Sequence, residues 1–157
     1  MKTLVLGWGN PILSDDGVGI RVAQQVREKV DDPQVTVAET SAAGLDLLDS
    51  VVGYDKAIII DAIQTRDGHA GQIYRMGLQD FSSAKRFSSA HQMHLVTALE
   101  LGKMLNLAMP REIIILAVEA EDITSFSEKC TPDVDRAIPA VVKMVLEELN
   151  AERPPQG

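Results

Sequence analysis

The chain contains one cysteine, Cys130, so no intrachain disulfide can form and a tetrahedral site built from several thiolates is excluded. It also lacks a basic run: 15 Lys and Arg stand against 23 Asp and Glu, a net charge of −8. Phosphate recognition needs clustered cations, so a nucleic-acid partner is not expected, and proteins or small molecules are. No apolar stretch reaches the ~20 residues of a membrane-spanning helix. The amino terminus, Met1 to Gly7, lacks the basic region, long apolar stretch and small-residue cleavage site of an export signal. A soluble protein of the reducing cytoplasm, with no membrane partner, is expected. No H-E-x-x-H zinc helix, no G-x-S-x-G nucleophile elbow, no internal repeat and no linker occurs. The 157 residues suit one domain, 1–151, followed by a frayed tail, 152–157, in which Pro154-Pro155 interrupts any apolar pattern.

What is present is an alternation of apolar runs and helical stripes. Leu4-Val5-Leu6 stops at Gly7, as expected of a strand buried on both faces. Ile20, Ala23, Val26 and Val30 then recur at helical spacing behind Ser14-Asp15-Asp16. Val35 and Val37 mark a second strand, Leu45 to Val52 a short helix, and Ala57 to Ile60 a third strand ending at Asp61. The order predicts an α/β fold, a parallel sheet with helices on its faces. Only about nine residues separate Asp61 from the next strand-like segment, Gly71 to Met76, too few for a crossover helix, so this fourth strand should run antiparallel.

Ser89-Ala90-His91-Gln92 has the form of a capping box, and Leu95, Ala98, Leu99, Gly102 and Leu105 continue a helical stripe. Ile113 to Val118 is another buried strand, followed by the acidic loop Glu119 to Lys129. Thr131-Pro132-Asp133 opens a last helix bearing Val134, Ile138, Val141, Val145 and Leu149. Pro139 inside it removes a backbone bond at a cost of roughly 3 kcal/mol, which predicts a kink or a restart.

Gly7-Trp8-Gly9 after a first strand, with Glu39 closing the second, has the outline of a dinucleotide-binding turn. The third glycine would fall at Ile12, Pro11 removes a backbone donor, and Asp15 and Asp16 place negative charge where a pyrophosphate must sit. The two acids can instead cap the helix, yet one N-cap position takes one side chain, so the second acid needs another reason. Asp61 either closes its strand in an Asx-type turn or joins Asp16, since first and third strands of a doubly wound sheet commonly flank the switch point where ligands bind. His91, in the first turn of its helix, meets the positive end of the macrodipole, which favours the neutral imidazole a metal requires. His94 and His69 read as exposed or partly packed. Asp16, Asp61 and His91 thus form a candidate metal-binding trio whose two oxygens and one nitrogen suit nickel, zinc, manganese or a similar ion, with positions left open.

In combination and order, Gly7-Trp8-Gly9-Asn10-Pro11, Asp15-Asp16-Gly17-Val18-Gly19, Ala43-Gly44, Asp61-Ala62 and Ser89-Ala90-His91-Gln92 resemble the hydrogenase maturation endopeptidases, over nearly the whole chain. The resemblance implies a three-layer α/β/α sandwich around a mixed five-stranded sheet of order 2-1-3-5-4 with strand 4 antiparallel. It implies an endopeptidase that removes the carboxyl-terminal extension of a nickel–iron hydrogenase large-subunit precursor after nickel insertion. The nickel would be supplied by that substrate rather than held tightly by the free enzyme, and Asp16, Asp61 and His91 would be the residues that contact it and serve catalysis. Where many relatives have Asp-Gly-Gly before the Ala-Gly pair, this chain has Glu39-Thr40-Ser41-Ala42, and Asp122, Ser125, Glu128 and Cys130 replace a glycine-rich stretch, so specificity should differ. Two other classes keep some of these features: a non-catalytic metal-dependent binding module and, with less support, a dinucleotide-binding protein.

Overall fold

The computed structural model describes residues 1–42, 45–83 and 90–151, with the side chains of 45, 81–83 and 90–93 outside that description. The Ala43-Gly44 pair, Ser89 of the capping box and the tail 152–157 therefore lie outside the described residues. Among the described residues five strands and five α-helices follow in the order β1 (Thr3–Trp8), α1 (Val18–Lys29), β2 (Val35–Thr40), α2 (Leu45–Val51), β3 (Lys56–Ile63), β4 (Ile73–Gly77), α3 (Leu78–Ser83), α4 (Ala90–Met104), β5 (Glu112–Glu119) and α5 (Pro132–Asn150). The sheet order is β2-β1-β3-β5-β4. β1 is parallel to β2 and β3, β3 is parallel to β5, and β4 is antiparallel to β5, as the short connection after Asp61 requires.

Strand alternation sorts the core into two layers. Leu4, Leu6 and Trp8 of β1, Ala57, Ile59 and Ile63 of β3, and Ile115 and Ala117 of β5 face one side, under α2 (Leu47, Leu48, Val51) and α4 (Leu95, Ala98, Leu99). Val5, Ile58, Ile60, Ala62, Leu116 and Val118 face the other, under α1 (Val18, Val22, Val26) and α5 (Val134, Ile138, Val141, Val142, Val145). β3 is buried at every position because it has neighbours on both edges and helices on both faces, which is why Ala57 to Ile60 reads as an unbroken apolar run. Gly19 lets α1 lie against the sheet: a Cβ there would stand 2.3 Å from the carbonyl oxygen of Ile60.

Three expectations change. β3 runs two residues past Asp61, because Ala62 and Ile63 still pair with Val118 and Glu119 of β5. Asp61 is therefore an in-sheet residue opposite Ala117 and not a strand terminus. α5 runs unbroken through Pro139 with no restart; Pro139 is exposed, so the carbonyl that loses its partner faces water, while the buried Val134, Ile138 and Val141 hold both halves of the helix to one face. Neither Asp15 nor Asp16 caps α1: its N-cap is Gly17, with no side-chain cap bond, and the two acids lie in a 3₁₀ turn, Ser14–Gly17.

Candidate active site

The carboxyl end of the sheet collects the loop after β1, the 3₁₀ turn, the last residues of β3 and the segment that follows β5. Asp16 is brought there by a tight reversal. Gly9 has no Cβ, and one built there would stand 1.9 Å from the carbonyl oxygen of Asp16, so only glycine lets the turn fold back this closely. The Asp16 Oδ2 then accepts the Asn10 amide at 2.8 Å, and the side chain stays half-buried. Asn10 in turn accepts the Ile12 amide on its Oδ1 at 3.1 Å, an Asx turn that shapes the loop.

Ser14 holds φ of 50°, a left-handed conformation that costs a non-glycine residue about 1 kcal/mol. It persists because Ser14 is buried and its amide donates to the Ser127 carbonyl at 3.0 Å. Past this point the neighbouring acids have different partners. Asp15 is wholly buried and accepts four hydrogen bonds: Glu121 N and Asp122 N to Oδ2 at 2.9 and 3.0 Å, Thr131 N to Oδ1 at 2.7 Å, and the Thr131 hydroxyl to Oδ2 at 2.8 Å. Thr131, the N-cap residue of α5, thus spends its hydroxyl on Asp15 and not on its own helix.

Asp61 is wholly buried, and its Oδ1 accepts the Ala62 amide at 2.9 Å. By alternation it shares the sheet face of Ile59 and Ile63, the side covered by α4. The 3₁₀ turn bearing Asp16 packs against β3, so two of the three expected residues occupy one end of the sheet. His91 belongs to the first turn of α4, as its sequence context predicts, but its ring lies outside the described residues. Among the described residues no group of three His, Cys, Asp or Glu side chains able to hold a metal is assembled, and His94 is exposed.

The loop that looked like a phosphate cradle has its amides committed internally. Gly9 N donates to Thr40 O, Asn10 N to Asp16 Oδ2, Ile12 N to Asn10 Oδ1, Leu13 N to Asn10 O, Asp15 N to Asp122 O and Asp16 N to Leu13 O, and Pro11 has none. A carboxylate fills the place of the anion, which removes the physical basis for dinucleotide binding.

The sequence profile described as hydrogenase maturation protease (HycI) matches residues 20–148. The chain belongs to the hydrogenase maturation protease family. It is 28% identical over 150 residues to the hydrogenase 2 maturation protease of Escherichia coli strain K12, covering 93% of this chain and 89% of that one. Among solved structures it resembles the hydrogenase maturating endopeptidase HybD from E. coli, with a TM-score of 0.80 and 25% identity over 96% of this chain and 93% of that one. It shares its fold with the [NiFe] hydrogenase maturation protease HybD from Thermococcus kodakarensis, with a TM-score of 0.74 and 22% identity over 94% and 98% of the two chains. Among the described residues of this protease no helix is long and apolar enough to cross a membrane.

Around the protease's candidate site, Trp8 and Glu119 make hydrogen bonds that sequence reading did not foresee. Trp8, buried at the end of β1, donates its indole Nε1–H to the Ala42 carbonyl at 3.0 Å, and Ala42 N donates to the Thr40 hydroxyl at 3.0 Å, fixing the Glu39-to-Ala42 segment where the sequence departs from many relatives. Glu119, also buried, accepts Thr65 N at 2.8 Å, the Tyr74 hydroxyl at 3.1 Å and the Thr65 hydroxyl, and so anchors the loop that leaves β3. A signal existed: Glu119 closes an apolar run just as Asp61 follows one. Cys130 is half-buried, and its thiol pKa is raised chiefly by burial, with Arg21 opposing and Asp15 and Asp135 adding to the rise. A thiol held protonated in this way is a poor nucleophile.

Proposed function

We propose that this protease removes the carboxyl-terminal extension of a nickel–iron hydrogenase large-subunit precursor, and that it reads the nickel already held by that substrate through Asp16, Asp61 and His91. The observation that carries the reading is the placement of Asp61 inside β3, on the α4 side of the sheet, with the Asp16 turn packed against the same strand. α4 leads into the start of β5, so its own first turn, with His91, lies toward the opposite, carboxyl end of the sheet. His91 precedes Leu95 by four residues and Ala98 by seven, the spacing of one helical face, and Leu95 and Ala98 belong to the core cluster on this side.

Two carboxylate oxygens and one imidazole nitrogen suit a borderline divalent ion whose remaining positions are filled by the substrate's own ligands. Asp16, half-buried, is open to an incoming protein, whereas Asp61 is wholly buried within β3. Binding through the substrate's ion makes cleavage conditional on its presence, because without the ion the two carboxylates have no cation of the precursor to share. An ion held between the substrate and these residues would supply Lewis-acid chemistry at the scissile carbonyl, and a carboxylate of Asp16 or Asp61 would accept or return the proton.

The test incubates purified protein with nickel-loaded and nickel-free precursor and measures product mass. Loss of a carboxyl-terminal peptide from the loaded form alone is expected. Unchanged length in both would mark a non-catalytic module, and equal cleavage of both would remove the nickel checkpoint.

A further inference from the structure

Two large apolar side chains are exposed side by side next to the Asp16 turn: Ile12, 47% exposed, and Phe126, 85% exposed. Their segments are joined by a parallel bridge, Leu13 to Ser127, with Ser127 N donating to Ile12 O and Ser14 N to Ser127 O, each at 3.0 Å. The bridge brings residues 12 and 126, each one position before a bridged residue, close together beside the turn. The loop that presents Phe126 is held in place. Asp15 takes the amides of Glu121, Asp122 and Thr131, and Asp122 Oδ1 accepts Thr124 N and Ser125 N at 3.0 Å each, closing the turn just before the aromatic ring.

A wholly buried carboxylate with four donors is thus used to fix a loop whose most prominent side chain is turned out to water. Exposing a phenylalanine forgoes burial that stabilises by about 1.5–3 kcal/mol, and a fixed, exposed aromatic is the form that interface anchors take. Ile12 lies four residues before Asp16 in sequence, and its loop and that of Phe126 are locked to the same turn. The two side chains therefore stand beside the turn to which a polypeptide delivering a metal to Asp16 would come.

We infer that Ile12 and Phe126 form an apolar lip that docks the substrate precursor itself, packing against apolar side chains of the folded polypeptide beside its metal-bearing end. The inference rests on the function proposed above and adds where the substrate is gripped. Its chemistry is separate from the metal ligands: the lip contributes binding that is the same in the ground and transition states, and so sets KM and leaves kcat unchanged.

Steady-state processing of nickel-loaded precursor by Phe126→Ser, Ile12→Ser, Phe126→Leu and the control Leu105→Ser tests it. Leu105 is 56% exposed, just past the end of α4, toward the opposite end of the sheet. Expected are a KM raised ~10–100-fold in Phe126→Ser, a smaller rise in Ile12→Ser, kcat within about twofold, near-complete rescue by Phe126→Leu, and no effect of Leu105→Ser. Melting temperatures should match wild type, since both side chains are exposed. If wild type processes the precursor and Phe126→Ser leaves KM unchanged, or lowers kcat alone, the lip is overturned and the function stands. If Phe126→Ser only abolishes self-association of the enzyme in sedimentation, the lip is a dimer contact and the inference is wrong. If wild type neither binds nor processes loaded precursor, the functional reading falls and the lip with it.

Discussion

Asp15 and Asp16 are chemically identical neighbours with different hydrogen-bond partners, and a pair of substitutions can separate what each contributes. Asp15→Ala removes the acceptor for three backbone amides and one hydroxyl. Hydrogen bonds to a charged group contribute about 1.5–3 kcal/mol each, so a simple sum would be roughly 6–12 kcal/mol, as large as the whole stability of an ordinary domain. The loop sets a lower ceiling. Glu121 and Thr124 to Lys129 are already exposed, so the segment can peel away and return its donors to water without opening the core. A loss of about 3–5 kcal/mol is expected, which for a chain of this size lowers the melting temperature by roughly 6–20 °C. Asp16→Asn, by contrast, alters a half-buried side chain with one hydrogen bond, from Asn10 N, that an amide oxygen can still accept. It should cost no more than about 1 kcal/mol and yet abolish processing, because an amide cannot supply a charged ligand. Urea titration followed by circular dichroism, beside precursor cleavage below the melting range, reads both quantities. An Asp15→Ala protein as stable as wild type but inactive would refute the division, placing Asp15 in the chemistry and leaving the loop held by something else.

His91→Ala should abolish processing with an unchanged far-ultraviolet spectrum, and His94→Ala, altering an exposed residue of the same helix, should retain it; the reverse pattern in the cleavage assay would reassign the imidazole. Lys56, almost wholly buried, lies 3.3 Å from Glu148 and 3.9 Å from Glu112, and Arg75 also bonds Glu148. Glu148→Gln should therefore destabilise by about 2–4 kcal/mol at pH 7, short of the full penalty for an orphaned buried charge because Glu112 remains. The Glu148 pKa is lowered, first by its hydrogen bond from Arg75, so its contribution is complete above the unfolded value near ~4.3 and fades as pH falls through the lower folded value; the gap between wild type and Glu148→Gln should close over that acid range in urea titrations. The Asp122 carboxyl is held down to about 2 by the Ser125 hydroxyl and by the Ser125 and Thr124 amides. The turn before Phe126 should thus stay closed above pH ~4 and open as pH falls toward 2, seen as faster exchange of the Thr124 and Ser125 amides, with no such transition in Asp122→Asn.

Much of the scaffold was legible because buried parallel strands leave no choice of residue: Leu4 to Leu6, Ile58 to Ile60 and Ile113 to Val118 are apolar without interruption, and each is a strand between helices. The nine residues after Asp61 announced the antiparallel β4, since no crossover fits in them. α3, a six-residue helix directly after β4, escaped notice because so short a helix has no stripe to read. The Pro139 restart did not occur because tertiary packing of α5 outweighs one missing backbone bond on an exposed face.

At the site, sequence singled out Asp16, Asp61 and His91 by their positions after apolar runs and at a helix start, and it recognised that two adjacent acids could not share one role. It chose Asp16 for the metal and offered its neighbour only a helix cap, which neither acid makes. Composition and periodicity determine which segments must be buried, since that choice depends only on local apolar content, and with the lengths of the connections they determine the layers and the direction of the strands. The partners of a polar side chain are set by what arrives from elsewhere in the chain: the 121–131 loop, more than a hundred residues from Asp15, supplies the four donors that make it structural. Hydrogen bonds are short-ranged and directional, and only the folded backbone brings such donors within 3 Å.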